Sequence, residues 1–91
     1  MRLAAVLLAL HLGSAFAVEI NQASEADLDG LRGLGPATTR EILAERRKAP
    51  FASWADLMAR VRGLGPAKAA QLSGDGVTVA GQPYAGTHPK R

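Results

Sequence analysis

The sequence predicts an all-α domain of four short helices, built as two copies of one helix-turn-helix unit whose ends meet in a small strand pairing. Three observations carry this reading. Arg32-Gly33-Leu34-Gly35-Pro36-Ala37 recurs letter for letter, thirty residues on, as Arg62-Gly63-Leu64-Gly65-Pro66-Ala67. Apolar positions recur at the same offset, Leu28 with Met58, Leu31 with Val61 and Ile42 with Leu72. Inside each copy the apolar spacing is helical, with Gly and Pro at the joints, as expected when one supersecondary unit is used twice.

Residues 1–17 are set apart from this pattern. Arg2 is a short basic start, Leu3 to Leu12 is apolar apart from His11, and Ala15-Phe16-Ala17 is a small-x-small sequence. That three-part layout is read as a cleaved export signal, with cleavage expected after Ala17. A bilayer-spanning helix needs about 20 apolar residues, and this run is far shorter. A buried N-terminal helix is the competing reading, but nothing downstream needs such a partner. The chain has no cysteine, so neither disulfides nor a cysteine-linked lipid anchor is expected, and the mature form is placed in a bacterial periplasm without a stable membrane anchor.

The domain is expected over residues 18–79. Ser24 with Asp27 three residues later has the form of a capping box, opening a helix from about Glu25 to Leu31 with Leu28 and Leu31 on one face. Gly33-Leu34-Gly35 then makes a turn whose glycines tolerate positive φ and whose Leu34 plugs back into the core. Pro36 suits the first turn of a second helix, which runs from Ala37 to Lys48 with Ile42 and Leu43 inward and Arg46, Arg47 and Lys48 as a solvated basic end; Pro50 stops it. Ser53 and Asp56 repeat the cap, and Trp54, Leu57, Met58 and Val61 form the buried side of a third helix, with Phe51 beside it in the core. Pro66 opens a fourth helix that ends near Ser73 at Gly74 and Gly76. Val18-Glu19-Ile20 and Val77-Thr78-Val79 have strand character and are expected to pair. Residues 80–91 are rich in Gly and Pro, lack a period and are expected to form a flexible tail.

The net charge is +3, and loss of Arg2 with the leader leaves ten Lys and Arg against eight Asp and Glu. So weak a basic bias cannot by itself generate a long-range field at physiological salt, where charges are screened within about 8 Å. The chemistry instead lies in the turns. A glycine turn running into a helix N-terminus presents unpaired N–H groups at the positive end of the helix dipole, an arrangement suited to phosphate. The candidate contacts are Arg32, Gly33, Leu34, Gly35, Ala37, Thr38 and Arg40 in the first copy, and Arg62, Gly63, Leu64, Gly65, Ala67 and Lys68 in the second. Lys68 is expected to add a cation to the second hairpin, where the first offers only the Thr38 hydroxyl. Two such sites at fixed separation suit the two backbones of a duplex. Base readout is not expected, because no exposed face gathers Arg, Asn and Gln as a recognition helix does.

Gly-Leu-Gly-Pro-Ala after an apolar helix resembles the helix-hairpin-helix motif of DNA repair and recombination proteins. The longer pattern is Val18 to Ser24, the first hairpin, Pro50-Phe51-Ala52-Ser53 with Trp54, Asp56 and Leu57, the second hairpin, and Val77 to Val79. This is similar to the ComEA-type competence proteins and covers nearly the whole mature domain. The resemblance implies a tandem helix-hairpin-helix fold and a periplasmic receptor that binds double-stranded DNA without sequence preference in natural transformation, alongside other DNA-uptake proteins. The family often carries Lys near the positions of Ala37 and Thr38, so the first hairpin is expected to bind more weakly or to serve in packing. Thr39 stands where a small Ala is usual, as at Ala69, which is expected to loosen the first helix pair.

Two other classes compete. A protein-docking module uses the same turns as plain connectors, and the near-neutral charge favours it. Enzymatic chemistry needs clustered Cys, His or carboxylates; the one histidine after the leader is His88 in the tail, and the carboxylates sit where capping and solvation account for them. Neither catalysis nor a cofactor or metal is expected.

Overall fold

A computed structural model of the chain describes residues 17–85; the expected leader up to Phe16 and the last six residues lie outside them. The order of elements is β1 (Val18–Glu19), α1 (Glu25–Asp29), α2 (Pro36–Lys48), α3 (Trp54–Arg60), α4 (Pro66–Gly74) and β2 (Val77–Thr78). The domain is thus mostly helical, with four helices in two hairpins and a two-stranded pairing of its ends.

Local chemistry accounts for the helix starts. At α1 the Ser24 hydroxyl accepts from the Asp27 N–H at 3.0 Å and the Asp27 carboxylate accepts from the Ser24 N–H at 3.1 Å, the reciprocal box that satisfies two orphan donors. At α3 the Ser53 hydroxyl accepts from the Asp56 N–H, but the Asp56 carboxylate reaches one residue further back, to the Ala52 N–H at 2.9 Å. Helix α1 stops at Asp29, two residues before the expected end, with the Gly30 N–H closing its last turn on the Ala26 carbonyl at 3.1 Å. Leu31 leaves the helix but stays buried, as does Val61 after α3.

The two ends pair in parallel, Val18 opposite Val77 and Glu19 opposite Thr78. A parallel pair needs a long crossover, and here the whole helical body is that crossover. Ile20, Leu28, Ile42, Leu57, Leu72 and Val79 are fully buried between the strands and the four helices. The Glu19 carboxylate locks the closure. It accepts from the Asn21 N–H and side-chain amide, the Thr78 hydroxyl, and the N–H groups of Ala80 and Gly81, at 2.8 to 3.2 Å. Partial burial pushes this carboxyl up, but the donors from Gly81, Thr78, Asn21 and Ala80 outweigh it and hold it below the ordinary Glu value.

Two expectations need correction. The folded unit runs past Val79, because residues 79–82 form a turn closed by Val79 and Gln82, each donating to the other at 3.0 Å. The Gln82 carbonyl accepts from the Trp54 indole at 2.8 Å, and the Tyr84 ring lies 5.6 Å from that of Trp54. A buried indole N–H needs an acceptor, and this turn brings one, so residues 80–84 are docked on the domain, while residues 86–91 of the expected tail lie outside the described residues. Nor is Arg46 solvated: its guanidinium donates to the carbonyls of Ile20 and Ala23, both at 2.8 Å, tying α2 to the loop after β1. The α2 C-terminus is capped instead by Arg60 from α3, which donates to the carbonyls of Glu45, Ala49 and Pro50 while its guanidinium stacks 4.4 Å over the Phe51 ring.

Candidate nucleic-acid interface

Each hairpin carries two glycines with different duties. Gly33 and Gly63 have φ of 93° and 84°, a left-handed conformation that side chains rarely adopt, and they reverse the chain. Gly35 and Gly65 have φ of −90° and −98°, which any residue accepts, and a Cβ at either would meet nothing within 4 Å. They are the N-caps of α2 and α4, and neither offers a side chain to the helix. Ser24 and Ser53 show that this chain uses side-chain caps elsewhere, at positions where such caps contribute about 1 kcal/mol. The bare glycine at both hairpins therefore serves neither backbone conformation nor packing, and it leaves the peptide edge open.

What that edge presents is a set of donors. The N–H groups of Gly35, Ala37 and Thr38, and of Gly65, Ala67 and Lys68, donate to no group among the described residues, while Thr39 and Ala69 begin the helical ladders by donating to Gly35 and Gly65. No acidic residue stands in the first turn of α2 or α4. Leu34 and Leu64 plug into the core at 8% and 2% exposure, fixing each turn from beneath. Open amides at the positive end of a helix of 13 or 9 residues form a cradle for an oxyanion.

The cations are placed differently from expectation. Lys68 springs from the first turn of α4, yet its ammonium donates to the Gly33 carbonyl of the first hairpin at 2.8 Å. Gln71 follows it, donating to the Arg32 carbonyl at 2.8 Å, and its side chain would collide with a Cβ at Gly33. The repeat predicts the mirror contacts, and they occur in altered form. Thr38, the counterpart of Lys68, lines a groove with Glu41, Arg62 and Gly63, while Glu41, the counterpart of Gln71, accepts from the Arg62 N–H at 3.3 Å. Each turn is thus supported by the helix of the other repeat.

The arginines divide as well. The Arg32 guanidinium makes a two-oxygen pair with Asp75 at 3.1 and 3.2 Å, so its charge is already partly met. Arg40 and Arg62 are exposed and form no ion pair among the described residues. The expected site residues are therefore gathered at the two hairpins, but the Lys68 ammonium contacts the backbone of the first rather than its own. Gln71, Glu41 and Asp75 were missed; the thirty-residue offset that pairs 41 with 71 was the signal that could have found two of them. Among the described residues no cluster of His, Asp and Glu could hold a metal, and no helix is long and apolar enough to cross a membrane.

Comparison with known proteins agrees with this geometry. No curated protein and no solved structure matches the chain significantly. A family described as "Helix-hairpin-helix motif" matches residues 14–75, more than half of the chain and both hairpins. The chain belongs to the helix-hairpin-helix motif family.

Proposed function

We propose that this protein binds the phosphate backbone of double-stranded DNA without sequence preference, through the open amides of its two hairpins, as an exported receptor of the ComEA type acting in DNA uptake. Membership of the helix-hairpin-helix family suggests DNA binding. The observation that carries the backbone reading is the bare glycine N-cap at both hairpins, Gly35 and Gly65, where neither φ nor packing asks for glycine. Backbone amides read phosphate and carry no base information, so indifference to sequence follows. The uptake role rests on the Val18-to-Val79 pattern, and the periplasmic location on the export-signal layout of residues 1–17.

A protein-docking module is the second reading, favoured by the pairing of Arg32 with Asp75 and by the Glu41 carboxylate on the second turn, both of which lower the local positive charge. Fluorescence anisotropy of Val18–Arg91 with two unrelated duplexes at low salt separates the two. Equal affinity for both duplexes supports the DNA reading. Absence of binding moves the assignment to docking. Cell fractionation of the full chain, with recovery of a product beginning at Val18 in the periplasm, tests the location.

A further inference from the structure

We infer that the first hairpin's phosphate site is completed from the other repeat: the Lys68 side chain serves the Gly33–Gly35 turn, while the Lys68 backbone N–H belongs to the second. The inference rests on the DNA reading above. Three observations support it. The Lys68 ammonium lies 2.8 Å from the Gly33 carbonyl, two residues from the Gly35 edge. An ammonium has three donors, and that contact uses one. Among the described residues Lys68 makes no ion pair, so its charge is uncompensated where that of Arg32 is partly met by Asp75. The second turn receives Thr38 and Glu41 from α2 in the corresponding places, and neither brings a cation. The first hairpin, which has no lysine of its own, is therefore not the cation-poor one; the borrowed ammonium makes it a full participant. Because the two turns and the two helices are interlocked, neither repeat alone forms a complete site.

A double-mutant series tests this. Gly35→Asp and Gly65→Asp each disable one hairpin, since an N-cap Asp folds back onto the helix amides and repels phosphate while favouring the helix. Lys68→Gln removes the charge but keeps a side-chain donor for the Gly33 carbonyl. Duplex affinity and its salt dependence are measured by anisotropy for each variant of Val18–Arg91, whose strands and helices close on themselves, and thermal melting confirms folding. In the native and Gly65→Asp backgrounds, Lys68→Gln is expected to weaken binding roughly fivefold and to flatten the log-log salt slope by about one. In the Gly35→Asp background it is expected to change little. Loss of the Lys68 effect in the Gly65→Asp background instead, or an equal effect in all backgrounds, overturns the inference while leaving DNA binding intact. No binding by the unaltered chain overturns the DNA reading itself, and this inference with it.

Discussion

Thr39 offers a sharp test of the packing. Its residue is 1% exposed and its hydroxyl has no hydrogen-bond partner among the described residues, while Ala69, its counterpart in the second repeat, is fully buried without difficulty. A buried polar group left unpaired costs roughly 1–3 kcal/mol. Thr39→Val exchanges the hydroxyl for a methyl of similar size, and the two residues have similar helix propensity, so little else changes. The substitution is expected to stabilise the domain by about 1–2 kcal/mol. In a domain of this size each kcal/mol moves Tm by about 4–8 °C, so a rise of roughly 5–15 °C is expected in a thermal melt followed by far-ultraviolet circular dichroism. Thr39→Ala removes the same hydroxyl but also a buried methyl, and the two effects nearly cancel. A Thr39→Val variant that melts lower than the native chain refutes the reasoning, because it means the hydroxyl holds a partner worth keeping.

Three further outcomes follow from other contacts. Glu41→Gln copies the Gln71 of the other repeat and removes a carboxylate from the second turn; duplex affinity at low salt is expected to rise about two- to fivefold by titration, with a smaller gain at high salt. Glu19 has a lowered folded-state pKa, so its contribution is present above the ordinary Glu value of 4.5 and is lost as pH falls through the folded value. Glu19→Gln should therefore lower Tm at neutral pH and converge with the native chain in acid, as read from Tm against pH. Tyr84→Ala removes the ring beside Trp54, the chain's single tryptophan, and should cost about 1 kcal/mol while exposing the indole, seen as a red shift in its emission.

The elements that the sequence makes legible are those set by neighbours in the chain. Ser24 with Asp27, Ser53 with Asp56, and the prolines at 36 and 66 mark all four helix starts, and Leu34 and Leu64 are buried as their place in the turn requires. The thirty-residue repeat locates both hairpins, and the strand character of residues 18–20 and 77–79 locates the pairing of the ends, although it does not reveal that the strands are parallel. What stays hidden is long-range and polar. Arg46 on the carbonyls of Ile20 and Ala23, and Asn21 exchanging hydrogen bonds with the backbone of Phe51, leave no periodic trace, because a flexible or polar side chain finds its acceptor only after the helices pack. The same applies to Lys68: its position in the chain assigns it to the second hairpin, but the crossing of α4 over the first turn decides what its ammonium touches. The docking of residues 79–84 escapes a pattern-based reading since scattered polar contacts and one ring contact hold it, the Glu19 carboxylate on the Ala80 and Gly81 N–H groups, the Trp54 indole on the Gln82 carbonyl and the Tyr84 ring on Trp54, rather than a repeating apolar face.

The central claim, that open backbone amides at both hairpins grip phosphate, is tested most directly by amide chemical-shift mapping of Val18–Arg91 titrated with a short duplex at low salt. The account predicts that the largest shifts fall on Gly35, Ala37, Thr38, Gly65, Ala67 and Lys68, and that a duplex of unrelated sequence gives the same set. Shifts confined to α1, α3 or the residues after Val79, or a set that changes with the sequence of the duplex, would contradict it.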